Sequence, residues 1–88
     1  MENKNFYFYV IETADNMLYA GYTDDVKKRF ATHSAKKGAK FLKPQTRHPL
    51  KLIFDQEFDN KHDAMSTEAK FKRLTRSQKE TYIQTHSN

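Results

Sequence analysis

Several residues able to do chemistry fall where regular geometry would turn them inward. If a helix starts near Val26, at about 100° per residue, His33 lies on the Val26/Phe30 face and Arg29 flanks it one turn earlier. A histidine there is either a hydrogen-bonded core residue or a proton-handling group, and the neighbouring arginine favours the second. On a later helix, Glu68 falls inside the stripe of Ala64 and Phe71. A carboxylate on that stripe is desolvated unless something compensates it. Either it forms a buried salt bridge, for instance to Arg29, or it serves as a metal ligand or general acid/base facing a cleft. Spacing leaves both open. Four of the five tyrosines, Tyr7, Tyr9, Tyr19 and Tyr22, crowd into the first quarter of the chain. Tyrosine is also simply a good strand former. A hairpin register in which paired positions sum to 28 would set Tyr9 opposite Tyr19, although the sequence does not fix that register.

Elements that must position these residues can be read from the chain. Residues 6–12 (FYFYVIE) are aromatic and β-branched and predict a strand. TADN at 13–16 supplies a turn, and 17–22 (MLYAGY) predicts the second strand of a hairpin. Thr23, Asp24 and Asp25 offer an N-cap and two acids for the first turn of a helix running to about Lys37, with Gly38 suited to its C-terminal cap. A basic loop over 39–49 leads to a third strand over 50–58 (LKLIFDQEF). Asn60 caps a helix over about 61–74, and a last helix over about 77–85 follows Thr75 or Ser77. The order β-β-α-β-α-α predicts an α/β chain of the α+β type, a small, mainly antiparallel three-stranded sheet flanked by helices.

Composition narrows the classes. The 88 residues suit one domain, 1–88. Leu, Ile, Val and Phe number only 17, which borders on disordered composition, but 12 aromatics with only two Gly and two Pro argue for a fold. No apolar run is long enough to span a membrane. The start MENKNFYFYV lacks the pattern of a signal peptide, so a cytoplasmic and potentially nucleoid-associated location is expected. Without cysteine there is no disulfide, zinc–thiolate site or thiol nucleophile. The four histidines, 33, 48, 62 and 86, have no metal-binding spacing, and no phosphate-loop or serine-hydrolase motif is present. Net charge is +5, and nine basic residues with no acid lie between Val26 and Phe54. The rest of the chain nets −4, so this one block carries the whole excess. Such segregation reads as a phosphate-contacting face rather than a merely solvated one.

The ordered residues resemble a known family. Tyr7-Phe8-Tyr9, followed ten residues after Tyr9 by Tyr19-Ala20-Gly21, looks like the paired motifs of the GIY-YIG nuclease superfamily. Thr23-Asp24, Arg29, His33, the loop Gly38-Ala39-Lys40-Phe41 with Pro49, and the run Glu68 to Leu74 continue the likeness in order. It covers about residues 6–83 and is similar to the small stand-alone bacterial members. The first motif reads YFY and the second YAG, but the tyrosines and the glycine remain. No late asparagine is placed, and Gln78 is not assigned to that position.

The resemblance implies a metal-dependent endonuclease that hydrolyses phosphodiester bonds with one divalent ion, Mg²⁺ or Mn²⁺. Its catalytic set would be Tyr9, Tyr19, Arg29, His33 and Glu68. Tyr9 and Tyr19 would activate and position water, with neighbours and a His33 hydrogen bond lowering the Tyr9 pKa. Arg29 would hold a phosphate oxygen and Glu68 the metal. Tyr7, Gly21 and Thr23 would serve the motif structurally. Lys27, Lys28, Lys36, Lys37, Lys40, Lys43, Arg47, Lys72 and Arg76 would contact DNA, with branched substrates or single-stranded ends as candidates and RNA not excluded. A monomer or weak dimer is expected. Two alternatives stand beside this: a non-catalytic nucleic-acid-binding module using the face 27–51, and an interaction domain using the hairpin edge at Phe6, Tyr7 and Phe8.

Overall fold

A computed structural model describes residues 4–87. Strand β1 (Phe6–Glu12) lies between β2 (Leu18–Thr23) and β3 (Lys51–Phe58), both antiparallel to it. Helix α1 is Val26–Ser34, α2 is Lys61–Lys72 and α3 is Arg76–His86. The predicted element order is therefore the observed one. Two short 3-10 turns, Lys40–Leu42 and Gln45–Arg47, occupy the basic loop. No helix among the described residues is long and apolar enough to cross a membrane.

The continuous apolar run of β1 has a physical reason: both of its faces are covered. Phe8 and Val10 pack with Ala20, Phe54 and Phe71, against which Leu74, Tyr82 and Ile83 close from the α2–α3 side. The alternate residues Tyr9 and Ile11 pack with Leu42, bordered by Tyr19, Phe30, Leu50 and Leu52, so α1 and the loop cover the other face. Phe8 is the hub of an aromatic cluster, with ring centroids 5.0 Å from Phe71 and 6.0 Å from Phe54. The few aliphatic residues are thus supplemented by rings, which bury more area per side chain.

Local chemistry corrects several sequence expectations. The hairpin register sums to 30, so Tyr9 faces Gly21 and Tyr19 faces Ile11. The turn is longer than TADN alone. Thr13 and Met17 close it, with the Thr13 N–H donating to the Met17 carbonyl at 2.9 Å and the Met17 N–H to the Thr13 hydroxyl at 2.9 Å. Helix α1 stops at Ser34, and Gly38 does not cap it. Lys36 instead takes the left-handed conformation (φ 63°), with Lys36 N–H bonded to the His33 carbonyl and Lys37 N–H to the Thr32 carbonyl. That is a Schellman ending built on a lysine. At the helix starts Asp25, Asn60 and Thr75 each accept a backbone N–H, and Thr75 forms a capping box with Gln78; because α1 takes Asp25 itself as its cap, the two acids expected in its first turn lie before the helix.

Candidate active site

Tyr9 and Gly21, paired across the β1–β2 hairpin, approach closely because Gly21 has no side chain. A Cβ on Gly21 would lie 2.5 Å from the Tyr9 hydroxyl oxygen and 2.7 Å from Cζ, so the Tyr9 ring leans directly over this residue. Tyr9 is 2% exposed. Its hydroxyl meets His33 Nε2 at 2.9 Å. His33 is buried on the inner face of α1, as its position on the helix predicts. Its other nitrogen, Nδ1, lies 3.2 Å from the Ala39 backbone N–H. A backbone N–H only donates, so Nδ1 accepts. The proton of the neutral ring therefore sits on Nε2 and is donated to the Tyr9 oxygen. Gly38 makes room for this ring, since a Cβ there would lie 2.2 Å from Nδ1.

The structure brings four of the five expected catalytic side chains to one pocket. Tyr9, Tyr19, Arg29 and Glu68 line a cavity of about 390 Å³, together with Phe6, Gly21, Tyr22, Thr23, Asp24 and Lys61. His33 lies behind Tyr9 rather than in the wall. The Tyr9 and Tyr19 rings are 6.5 Å apart, and Tyr19 meets His33 edge-on at 5.4 Å. Glu68 does not pair with Arg29. Its ion pair is with Lys72 at 3.4 Å, one turn along α2. Lys61 was missed by the sequence reading. The available signal was its position seven residues before Glu68, on the same stripe of α2.

Arg29 lowers the Tyr9 pKa as expected, but burial outweighs it. Burial pushes Tyr9 up to about 12, and negative charge on Tyr19 or Glu68 adds to the rise, while Arg29 pulls the other way. Burial moves His33 in the opposite direction, below its ordinary 6.5, with the Arg29 charge reinforcing it. The histidine is thus a neutral donor at pH 7, and the phenol is protonated.

The donor set decides which metal suits the pocket. No group of three or more His, Cys, Asp or Glu able to hold a metal occurs among the described residues. A closed zinc-type cage is therefore not what these residues form. Two carboxylates line this open pocket, Asp24, which is paired with Lys4 at 2.9 Å, and Glu68; so few donors fit a hard divalent cation that keeps most of its waters and takes further oxygens from a phosphate.

The basic residues divide. Lys27, Lys28, Lys37, Lys40 and Lys43 are exposed and have no ion pair among the described residues. Lys36 is also exposed and binds the Gln45 side chain. Arg47 is committed to Asp15 at 2.9 Å and lies 3.9 Å over the Phe41 ring. Arg76 joins Glu80 at 2.9 Å and the Asn16 carbonyl at 2.7 Å. Both arginines therefore have structural partners. Tyr7 pairs with Thr23 across the hairpin, and Glu57 beside its hydroxyl raises its pKa.

Comparison with known proteins agrees with this geometry. A UPF0213 protein of Streptococcus pyogenes serotype M5 is 55% identical over 87 residues, which is 98% of this chain and 92% of that one. The solution NMR structure of the protein EF2693 from E. faecalis matches with a TM-score of 0.66 at 41% identity, over 97% of this chain and 90% of that one. That of the UPF0213 protein BH0048 from Bacillus halodurans gives 0.61 at 36% identity, over 93% and 85%. Residues 5–83 match the model of the GIY-YIG catalytic domain, and with relatives of this identity and coverage the chain belongs to that family, among its small bacterial UPF0213 proteins.

Proposed function

We propose that the chain is a metal-dependent endonuclease that hydrolyses phosphodiester bonds in DNA. The observation that carries this reading is the Tyr9 hydroxyl, oriented by a neutral His33 in a pocket shared with Arg29 and Glu68. The minor phenolate form of Tyr9 takes a proton from the attacking water and returns to the phenol. His33 keeps its Nε2 proton and donates it as a hydrogen bond to that phenolate, which favours the charged form before the transfer. Tyr19 positions the water across the pocket. Arg29 holds a non-bridging phosphate oxygen with its planar fork and adds positive charge near Tyr9. Glu68 would hold Mg²⁺ or Mn²⁺, which when bound would supply charge stabilisation at the phosphate and the leaving oxygen. Lys27, Lys28, Lys37, Lys40 and Lys43 give affinity for the backbone without sequence preference. A DNA substrate would place the enzyme in the cytoplasm.

The test incubates linear, branched and single-stranded DNA with the chain and Mg²⁺ or Mn²⁺. Cleavage by wild type, with loss in Tyr9→Phe and Glu68→Ala but retained DNA binding in both, is the expected result. Equal cleavage by Glu68→Ala overturns the assignment. The second reading, a nucleic-acid-binding module without catalysis, draws on the depth of Tyr9, whose burial pushes its phenol up to about 12. Steeply salt-dependent binding with no product under any metal would select it.

A further inference from the structure

On the α2–α3 side of Tyr19 lies a second cavity, of about 260 Å³, lined by Tyr19, Ala20, Phe41, Phe71, Lys72 and Lys79 among others. It shares Tyr19 with the catalytic pocket, and its Lys72 is ion-paired to the catalytic pocket's Glu68. The two cavities are thus neighbours along one surface.

Its chemistry differs from that of the catalytic pocket. Two of its walls are aromatic: the Tyr19 and Phe41 rings stand near-parallel, 19° apart, with centroids 6.1 Å apart. Phe41 is 37% exposed, the one aromatic ring among the described exposed large apolar side chains. It is nevertheless held in place. The Arg47 guanidinium lies 3.9 Å over it, and Arg47 is in turn fixed by Asp15 at 2.9 Å. An exposed ring fixed by a buttressing arginine is a prearranged contact surface rather than a stray apolar residue. The charged groups lining this cavity are Lys72 and Lys79, with no carboxylate. Flat apolar walls with a cationic rim match a planar heterocycle attached to phosphates.

We infer that this groove takes an unpaired nucleobase of the bound DNA strand, flanking the cleaved phosphodiester and packed against Tyr19 and Phe41 with its phosphates towards Lys72 and Lys79. The inference rests on the DNA reading of the catalytic pocket. The occupant is set by charge complementarity and by continuity with that pocket: a strand whose phosphate meets Arg29 has its next base within reach of Tyr19. Base identity is not read here, because no amide or carboxylate lines the cavity to recognise a base edge.

The test is equilibrium binding in EDTA, so that no cleavage intervenes. Fluorescence anisotropy compares labelled oligothymidylate with an abasic oligomer of equal length, which keeps the phosphates and lacks the bases. Wild type should bind the oligothymidylate about tenfold more tightly, in line with one base on an aromatic surface. Phe41→Ala should erase that preference and Phe41→Tyr should retain it, with circular dichroism confirming that both fold. Lys79→Gln should weaken both oligomers alike. Equal binding of the two oligomers by wild type, or a preference that survives Phe41→Ala, overturns the inference. A preference that behaves as expected in a chain that never cuts DNA would sink the nuclease reading and leave the groove assignment standing.

Discussion

Adding one methyl group at Gly21 tests whether the placement of the Tyr9 hydroxyl matters. Gly21 does not have a positive φ, so alanine there meets no backbone penalty and the effect is purely one of space. The new Cβ would stand 2.5 Å from the Tyr9 hydroxyl oxygen, against 3.4 Å for an ordinary contact, so the tip of the ring must retreat by about 0.9 Å. It has little freedom to do so, being 2% exposed and bonded to His33 at 2.9 Å. Overpacking of this kind costs about 1–3 kcal/mol. For a domain of this size, that lowers Tm by roughly 4–8 °C per kcal/mol. A displacement near 1 Å at a reacting group costs about 100-fold in rate. The assays are thermal melting and single-turnover cleavage, each repeated in a Tyr9→Phe background. Without the hydroxyl, Gly21→Ala should still destabilise, since Cζ would be 2.7 Å away. It should no longer slow a reaction that has already lost its base. A Gly21→Ala chain that melts and cuts like wild type refutes the geometry, and an equal rate loss in both backgrounds refutes the role of the hydroxyl.

Cleavage should accelerate with pH by up to about tenfold per unit between pH 7 and 9, because the active phenolate is the minor form of a phenol raised to about 12. A flat profile with chemistry limiting would exclude Tyr9 as base. The His33 pKa is depressed in the fold, so the unfolded chain binds the proton more readily. Stability should therefore decline as pH falls below about 6.5, and His33→Gln should flatten that part of a Tm-against-pH curve. Lys72→Gln should tighten Mg²⁺ binding by about twofold in calorimetry without DNA, the worth of a partly exposed i, i+4 pair released from Glu68. Weaker metal binding would show that Lys72 does not compete for the carboxylate. Lys36→Gly should raise Tm by a few degrees, through about 0.5–1 kcal/mol from relieving a left-handed lysine. Gly38→Ala should lower Tm and rate together, because its Cβ would stand 2.2 Å from His33 Nδ1.

The fold was legible wherever local chemistry and pattern agreed. The aromatic run of β1, the caps at Asn60 and Thr75, and the apolar stripe that carries His33 all point the same way at every level. The inward position of Glu68 was also legible, because only two helical faces are available and one is apolar. What the sequence hid is long-range. Period-2 alternation does not choose between registers that differ by two residues, so pairing Tyr9 with Tyr19 and pairing it with Gly21 were equally consistent. The partner of Glu68 stays open in the sequence for a similar reason: helical spacing names the neighbour at i+4, Lys72, but says nothing of whether a long-range partner such as Arg29 displaces it. The second residue bonded to His33, the backbone of Ala39, has no side-chain signature at all. The pKa of Tyr9 was expected to fall because its charged neighbours were visible in the sequence and its depth of burial was not. Burial turned out to be the larger effect.

Both glycines of the chain serve the same pair of side chains. There are only two, Gly21 and Gly38, and neither has a positive φ. Gly21 clears the space that the Tyr9 hydroxyl occupies, and Gly38 clears the space of the His33 ring. Among the described residues, the two positions that do adopt a positive φ are filled by Asn16 and Lys36. Glycine would suit the conformation at Lys36 better, since a left-handed non-glycine residue costs about 1–2 kcal/mol. The chain therefore bears backbone strain where glycine would relieve it, and places glycine where a hydrogen-bonded tyrosine and histidine need room. A core that needed only filling would have no use for this arrangement, because smaller apolar residues at positions 9 and 33 would pack without two missing Cβ atoms and without a buried polar bond to satisfy. The placement of the glycines is accounted for if the position of one hydroxyl, held at 2.9 Å from one imidazole proton donor, is what this sequence has to preserve.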